Sequence, residues 1–229
     1  MEKEKHSGKI ALVIGATGVV GGRLVDELLL DKRYDTVWVL IRRTTAKAHP
    51  KLKEVILDFN ELEDYYPKLF IDDVYCAIGT TIKQAKSQNA MYHIDVEYPV
   101  TVARLAVKYG VNHFTVISAV GANANSMIFY SRMKGELEQQ LLSVNLPKLS
   151  IIRPPLLLDT REKARFAETL SSVISKKIQG IVTPTIRPKL GVYAMAVAKA
   201  MRTATTIDSQ RVNIYEAQEI EKLAKLTTR

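Results

Sequence analysis

The chain of 229 residues contains a single cysteine, Cys76. One thiol excludes an internal disulfide and a metal centre of clustered thiolates, and it fits a reducing compartment. His6, His49, His93 and His113 share no metal-ligand spacing, so no metal is expected. No apolar run exceeds seven residues, well short of a membrane span. The charged opening, Met1–Lys9, has no apolar h-region behind it, so no secretory signal is expected and a cytoplasmic location is. Charge of one sign is never massed. The net +9 comes from 33 basic and 24 acidic residues, with no block of five or six like charges. Lys3, Lys5 and Lys9 alternate with Glu2 and Glu4, and Lys222 and Lys225 sit beside Glu219 and Glu221. Such a surface favours small anions over a nucleic-acid platform. Linkers, repeats and low-complexity tracts are also missing, so one domain over 1–229 is expected, with 9–158 as its core and 159–229 as covering and C-terminal segments.

What is present is a glycine-rich turn close to the start. Ile10–Ile14 is a continuous aliphatic run, as a parallel strand buried on both faces requires. Gly15, Gly18 and Gly21 follow with G-x-x-G-x-x-G spacing, and Gly21–Leu30 reads as a helix. The first glycine suits the bend, the second a backbone close to a pyrophosphate, and the third a helix packed tightly on the strand. Helix N–H groups then face the phosphate.

Strand-like and helix-like segments alternate beyond it. Thr36–Ile41, Glu54–Phe59, Asp73–Gly79, His113–Ala119 and Leu149–Ile152 read as strands. Asn89–Tyr109 and Tyr130–Leu142 read as helices. The order predicts an α/β, doubly wound parallel sheet, a Rossmann fold. After Pro155 the pattern weakens: 160–177 and 191–203 look helical, Arg211–Tyr215 reads as a short edge strand, and Glu216–Leu226 as a last helix. Ligands lie at the carboxyl ends of strands in such sheets. That singles out Gly15 onward, Arg42–Arg43, Asp58, Ile78 to Thr80, Ser118 and Pro154.

Arg42 and Arg43 stand where the second strand ends. An acid there suits the ribose 2′-hydroxyl of NAD, and arginine suits the 2′-phosphate of NADP. No Asp or Glu occurs between Thr36 and Lys53, so NADP(H) is the expected cofactor. Asp58, with Phe59 beside it, is placed near the adenine or in an exposed turn. Tyr130 and Lys134, i and i+4, share one helix face. An ammonium nearby is expected to lower the phenol's pKa and fit it for proton transfer during hydride transfer. Ser118, at the tip of the fifth strand, either polarises a substrate carbonyl or bonds local backbone. Gly135, unfavourable inside a helix, suggests a close backbone approach.

Together these residues resemble the atypical branch of the short-chain dehydrogenase/reductase superfamily, and within it the Tat-interacting-protein-like oxidoreductase family. The likeness runs over 9–165, through G-A-T-G-V-V-G-G, L-I-R-R, L-D-F, C-A-I-G-T-T, I-S-A-V-G-A-N, Y-S-R-M-K-G-E-L-E and R-P-P-L-L-L-D-T-R-E. It implies that Thr17, Gly18, Val19 and Val20 cradle phosphate and that Arg42 and Arg43 hold the 2′-phosphate. It further implies that Ile78 and Gly79 pass beneath the cofactor, that Tyr130 and Lys134 form the catalytic pair, and that Leu157 lies near the nicotinamide and Arg165 near the cofactor.

The expected activity is an NADPH-dependent reduction of a small carbonyl-like substrate. The alternative is a non-catalytic NADP-binding regulator acting through a protein partner, as nitrogen-metabolite-repressor-like proteins suggest. Paired serines are common in relatives where this chain has Ser118-Ala119, and that difference favours the regulator. A sugar-nucleotide epimerase fits less well, because little chain follows Pro154 to build a substrate domain.

Overall fold

Aliphatic side chains on both faces of the first strand demand cover on both sides of the sheet. The computed structural model describes residues 8–157 and 191–226. In it, Ile10, Leu12 and Ile14 of β1 (Lys9–Ile14) enter one core while Ala11 and Val13 enter another. Beside β1 lie β2 (Tyr34–Ile41), β3 (Leu52–Ile56), β4 (Asp73–Cys76), β5 (His113–Ile117) and β6 (Leu149–Ile152). A two-stranded ribbon pairs β7 (Leu156–Leu157) with β8 (Gly191–Val192), and β9 (Val212–Tyr215) rejoins the main sheet. The main sheet has seven strands in the order β3-β2-β1-β4-β5-β6-β9, every pair parallel. This is the expected doubly wound Rossmann arrangement. Chain direction across the sheet reverses between β1 and β4, the crevice where such folds take ligands.

Helices cover both faces. The helices α1 (Val19–Leu30), α2 (Leu62–Tyr65), α3 (Ile82–Ala85), α4 (Gln88–Tyr92), α5 (Tyr98–Lys108), α6 (Phe129–Ser143), α7 (Ala194–Ile207) and α8 (Ala217–Lys225) follow in chain order. Leu24 and Leu28 of α1, Val197 and Met201 of α7, and Ile220 and Leu223 of α8 fill the core on one face. Val100 and Ala103 of α5, with Met133, Leu137 and Leu141 of α6, fill the other.

Boundaries differ where a turn stops a run that composition alone would extend. The third strand ends at Ile56, because the Asp58 carboxylate accepts from Asn60 N at 3.0 Å and starts a 3-10 turn at Phe59. The fourth ends at Cys76 and the fifth at Ile117, leaving Ala77–Gly79 and Ser118–Ala119 in loops at the carboxyl edge. The long helix expected over 89–109 is divided into α4, a π-turn at His93–Glu97, and α5. The alanine-rich helix begins at Ala194, after β8. The edge strand near Arg211 is β9, paired with β6. The helix expected at 160–177 lies outside the described residues.

The amino ends of the strands are closed by buried polar networks. Tyr34 donates to Asp73 at 2.7 Å and touches the Tyr75 hydroxyl at 2.7 Å, while Lys9 reaches the same carboxylate at 3.0 Å. Further along, Ser150 and Tyr215 both donate to Asp208, so the Ser150 oxygen accepts from His113 Nε2 at 2.6 Å. Burial holds the His113 pKa down at about 4, with Lys148 and Lys9 acting the same way and Asp208 against it. The folded imidazole therefore refuses a proton that the unfolded chain accepts below its ordinary value of 6.5. Stability linked to His113 is complete above that value and lost as pH falls towards 4. In urea unfolding, the advantage of the parent over His113→Asn should shrink by about 1–3 kcal/mol across this window. An advantage independent of pH would contradict the assignment.

Candidate cofactor and acid–base site

Gly15 has φ +83°, and a Cβ there would lie 2.5 Å from the Ala77 oxygen. Only glycine turns the chain so closely past the end of β4. Gly18 N donates to Gly15 O at 2.9 Å. A Cβ on Gly21 would stand 2.1 Å from Gly15 O, so this glycine allows α1 to cross directly against the loop. Thr17 and Gly18 are exposed, Val19 is half-buried, and Val20 and Gly21 are buried behind them. Gly18 is the N-cap of α1, with no side-chain cap and no acid in the first turn. The open helix amides suit an anion.

Arg42 and Arg43 follow β2 directly, and both are exposed. Asp58 is exposed at the end of β3, and Phe59 stacks on Tyr98 with ring centroids 4.6 Å apart and planes at 21°. Burial and then Asp58 raise the Tyr98 pKa, while Arg42 opposes them. Arg42, Asp58, Phe59 and Tyr98 thus share one corner. Tyr98 lies far along the chain from Phe59, and no spacing announced it. Glu54, the nearest acid following the arginines, is occupied by Thr44 and Thr45.

Beyond β4, Ile78 is half-buried and Gly79 exposed, and a Cβ on Gly79 would meet nothing within 4 Å. Thr80 N donates to Asp95 Oδ1 at 2.9 Å, and Asp95 Oδ2 lies 3.3 Å from Lys134 Nζ. Both charged groups are buried, Lys134 at 2% and Asp95 at 1% side-chain exposure. Tyr130, one turn before Lys134 on α6, is only half-buried. The structure therefore joins the stretch after β4 to the Tyr130–Lys134 pair through an acid that the sequence reading missed. The signal available was an Asp within an otherwise apolar helical stripe.

Burial, with that acid adding to it, corrects the expected electrostatics. Burial raises the Tyr130 pKa, Lys134 draws it down, and Asp95 pushes it up, so the net direction is upward. Lys134 remains firmly charged: burial would lower its pKa, but Asp95, with Tyr130 and Cys76 acting the same way, raises it. Burial pushes the Cys76 thiol beside them up to about 12, so it stays a thiol.

Ser118 is buried and donates its only proton to Glu138. Arg153 holds that carboxylate through two bonds of 2.9 and 2.6 Å and also reaches Glu216 at 3.2 Å. The hydroxyl therefore has no proton to offer a substrate oxygen in this arrangement. Its partner is a side chain rather than the local backbone of the alternative reading. Pro154 is buried, and its oxygen accepts from Val120 N at 3.2 Å, tying the ends of β5 and β6 together. Leu157 contributes backbone to β7. Arg165 lies outside the described residues. The close approach expected at Gly135 is present, since a Cβ there would lie 2.1 Å from Ala124 N. The loop concerned is tied to α6 by Asn123 N donating to Ser131 O at 2.9 Å.

The fold defines a doubly wound Rossmann protein. The chain belongs to the NAD-dependent epimerase/dehydratase family, whose model matches residues 11–129. It is 28% identical to "Protein HTATIP2" of Rattus norvegicus over 98% of this chain and 93% of that protein. It is 27% identical to "Protein FMP52, mitochondrial" of Eremothecium gossypii over 94% and 97% respectively. Among solved structures, MoeE5 in complex with UDP-glucose and NAD superposes with a TM-score of 0.67 at 16% identity, covering 91% of this chain and 75% of that one. The resemblance to the atypical dehydrogenase/reductase branch is thereby borne out. The expected cytoplasmic location is not, because FMP52 relatives carry the word mitochondrial in their names. A lone cysteine reports the absence of disulfides, not an address.

Helix propensity alone predicts that Gly135→Ala stabilises α6 by about 1 kcal/mol. The contact with Asn123 and Ala124 predicts the opposite, a loss of about 1–3 kcal/mol from overpacking. Thermal or urea unfolding of the variant decides between the two signs.

Proposed function

We propose that the chain is an NADPH-dependent oxidoreductase acting on a small carbonyl-like substrate. The observation that carries this reading is the half-exposed Tyr130 beside the buried, charged Lys134, linked through Asp95 to the stretch containing the open Gly79. When bound, the reduced nicotinamide would supply the hydride. Thr17, Gly18, Val19 and Val20, with the α1 amides, would hold the pyrophosphate, and Arg42 and Arg43 the 2′-phosphate. Asp58 and Phe59 would lie along the adenine, with Ile78, Gly79 and Thr80 beneath the cofactor. Tyr130 gives its phenolic proton to the substrate oxygen, and the Lys134 ammonium stabilises the phenolate left behind. Pro154 and the backbone at Leu157 would complete the cofactor's surroundings in this reading. Proton donation falls to Tyr130, since the Ser118 hydroxyl is engaged by Glu138.

One observation favours a second reading, a regulator that binds NADP(H) and reports to a protein partner. With Ser118 engaged and Ala119 beside it, the end of β5 presents no hydroxyl to a substrate.

By calorimetry NADP(H) should bind roughly 10–100-fold more tightly than NAD(H), and Arg42→Ala with Arg43→Ala should erase the difference. Equal affinities in the parent would remove the NADP assignment. In a carbonyl panel followed by NADPH oxidation, Tyr130→Phe should lower turnover by at least about 100-fold while cofactor affinity stays close to the parent's. Tight cofactor binding with no turnover across the panel would favour the regulator.

A further inference from the structure

Asp95 is the buried acid that neither the glycine turn nor the Tyr-x-x-x-Lys spacing brings to attention. It is held in the π-turn between α4 and α5, and its two oxygens face two different parts of the site. One accepts from Thr80 N at 2.9 Å, and the other stands 3.3 Å from Lys134 Nζ. That second oxygen makes no other bond among the described residues. An isolated lysine ammonium beside a phenol favours the phenolate. An ammonium matched by a carboxylate at contact distance draws on that phenol less strongly than a bare one.

We propose that Asp95 is a positioning residue for the Tyr130–Lys134 pair. By holding the Lys134 ammonium and the Thr80 amide together, its carboxylate offsets part of the charge that draws the proton from Tyr130. The site is thereby set for proton donation, the half of acid–base chemistry that a reduction needs. The purpose assigned to Asp95 rests on the reductase reading above. In the step it serves, a bound reduced nicotinamide dinucleotide would supply hydride to the carbonyl carbon, and the C=O π pair would move onto oxygen. The Tyr130 O–H bond breaks as the new O–H bond forms. The reverse reaction needs a phenolate as base, a form that burial disfavours and the Asp95 carboxylate disfavours further. Among the described residues the groups acting on this chemistry are Lys134 from α6, Asp95 from the π-turn, and Cys76 of β4 acting on Lys134.

The test needs neither cofactor nor substrate. The full chain is labelled with 13C at tyrosine Cζ and lysine Cε, and the two resonances are assigned by their loss in Tyr130→Phe and Lys134→Met. In the parent, Tyr130 should remain protonated up to about pH 10, the range of free tyrosine. In Asp95→Asn, whose amide oxygen still accepts from Thr80, the first proton lost by the pair should leave at least about one pH unit lower. Asp95→Glu should return the titration towards the parent. An Asp95→Asn titration matching the parent overturns the proposal, and so does a parent Tyr130 that ionises near pH 7. The parent measurement decides even if Asp95→Asn fails to fold. A shifted titration in a protein that reduces no carbonyl would retain the role of Asp95 and discard the reductase reading, so the two can fail separately.

Discussion

The buried contact between Lys134 and Asp95 is the constraint on which the arrangement of the carboxyl edge depends. Each ion loses several kcal/mol of hydration on burial, so neither is tolerable there without the other. Their pairing therefore fixes where α6 stands relative to the π-turn. The second Asp95 oxygen extends the restraint to Thr80, and through Thr80 to the loop leaving β4. Three separate pieces of chain are held by one carboxylate. The π-turn belongs to the same logic: the widened turn interrupts the helix where Asp95 enters, in keeping with the frequent placement of such turns at functional sites.

The two ends of the sheet treat polar groups in opposite ways. At the amino ends, Asp73 Oδ2 is held by Tyr34 and Lys9, and the two oxygens of Asp208 are taken by Ser150 and Tyr215. At the carboxyl ends, Thr17, Gly18, Arg42, Arg43 and Gly79 are exposed and Tyr130 is half-exposed. A buried polar group without a partner is costly, so closed networks are the rule where nothing is to be bound. Open groups gathered along one edge are the mark of a surface that receives a ligand. The Ser118–Glu138–Arg153–Glu216 chain is the exception, a closed network at the open edge that joins the end of β5 to α6, β6 and the start of α8.

Much of the fold was legible because parallel strands buried on both faces leave unbroken aliphatic runs. β1 and β6 are cases where the run and the strand nearly coincide. The third strand was misjudged because Asp58 ends it through a side-chain hydrogen bond, which hydrophobicity does not register. In the glycine turn, spacing alone carried the geometry, since Gly15 and Gly21 meet backbone that only glycine tolerates. The Phe59–Tyr98 stack and the Asp95–Lys134 pair were not legible, because both join residues that only the folded sheet brings together. Cytoplasmic location was inferred from composition that says nothing about address.

The Tyr130–Lys134 spacing shows why a motif conveys reach more reliably than charge. Separation by one helical turn places two side chains on one face, and the structure confirms that placement. The electrostatic consequence, however, belongs to every charge within contact distance, including those contributed by distant sequence. Lysine draws the proton from the phenol, but burial outweighs it, Asp95 adds to burial, and the phenol keeps its proton. The same two letters can therefore describe a base or an acid, and their burial, together with a third residue on another element, decides which. The same reasoning applies to Ser118, whose place at a strand tip suggests service to a substrate until Glu138 is seen to hold its proton.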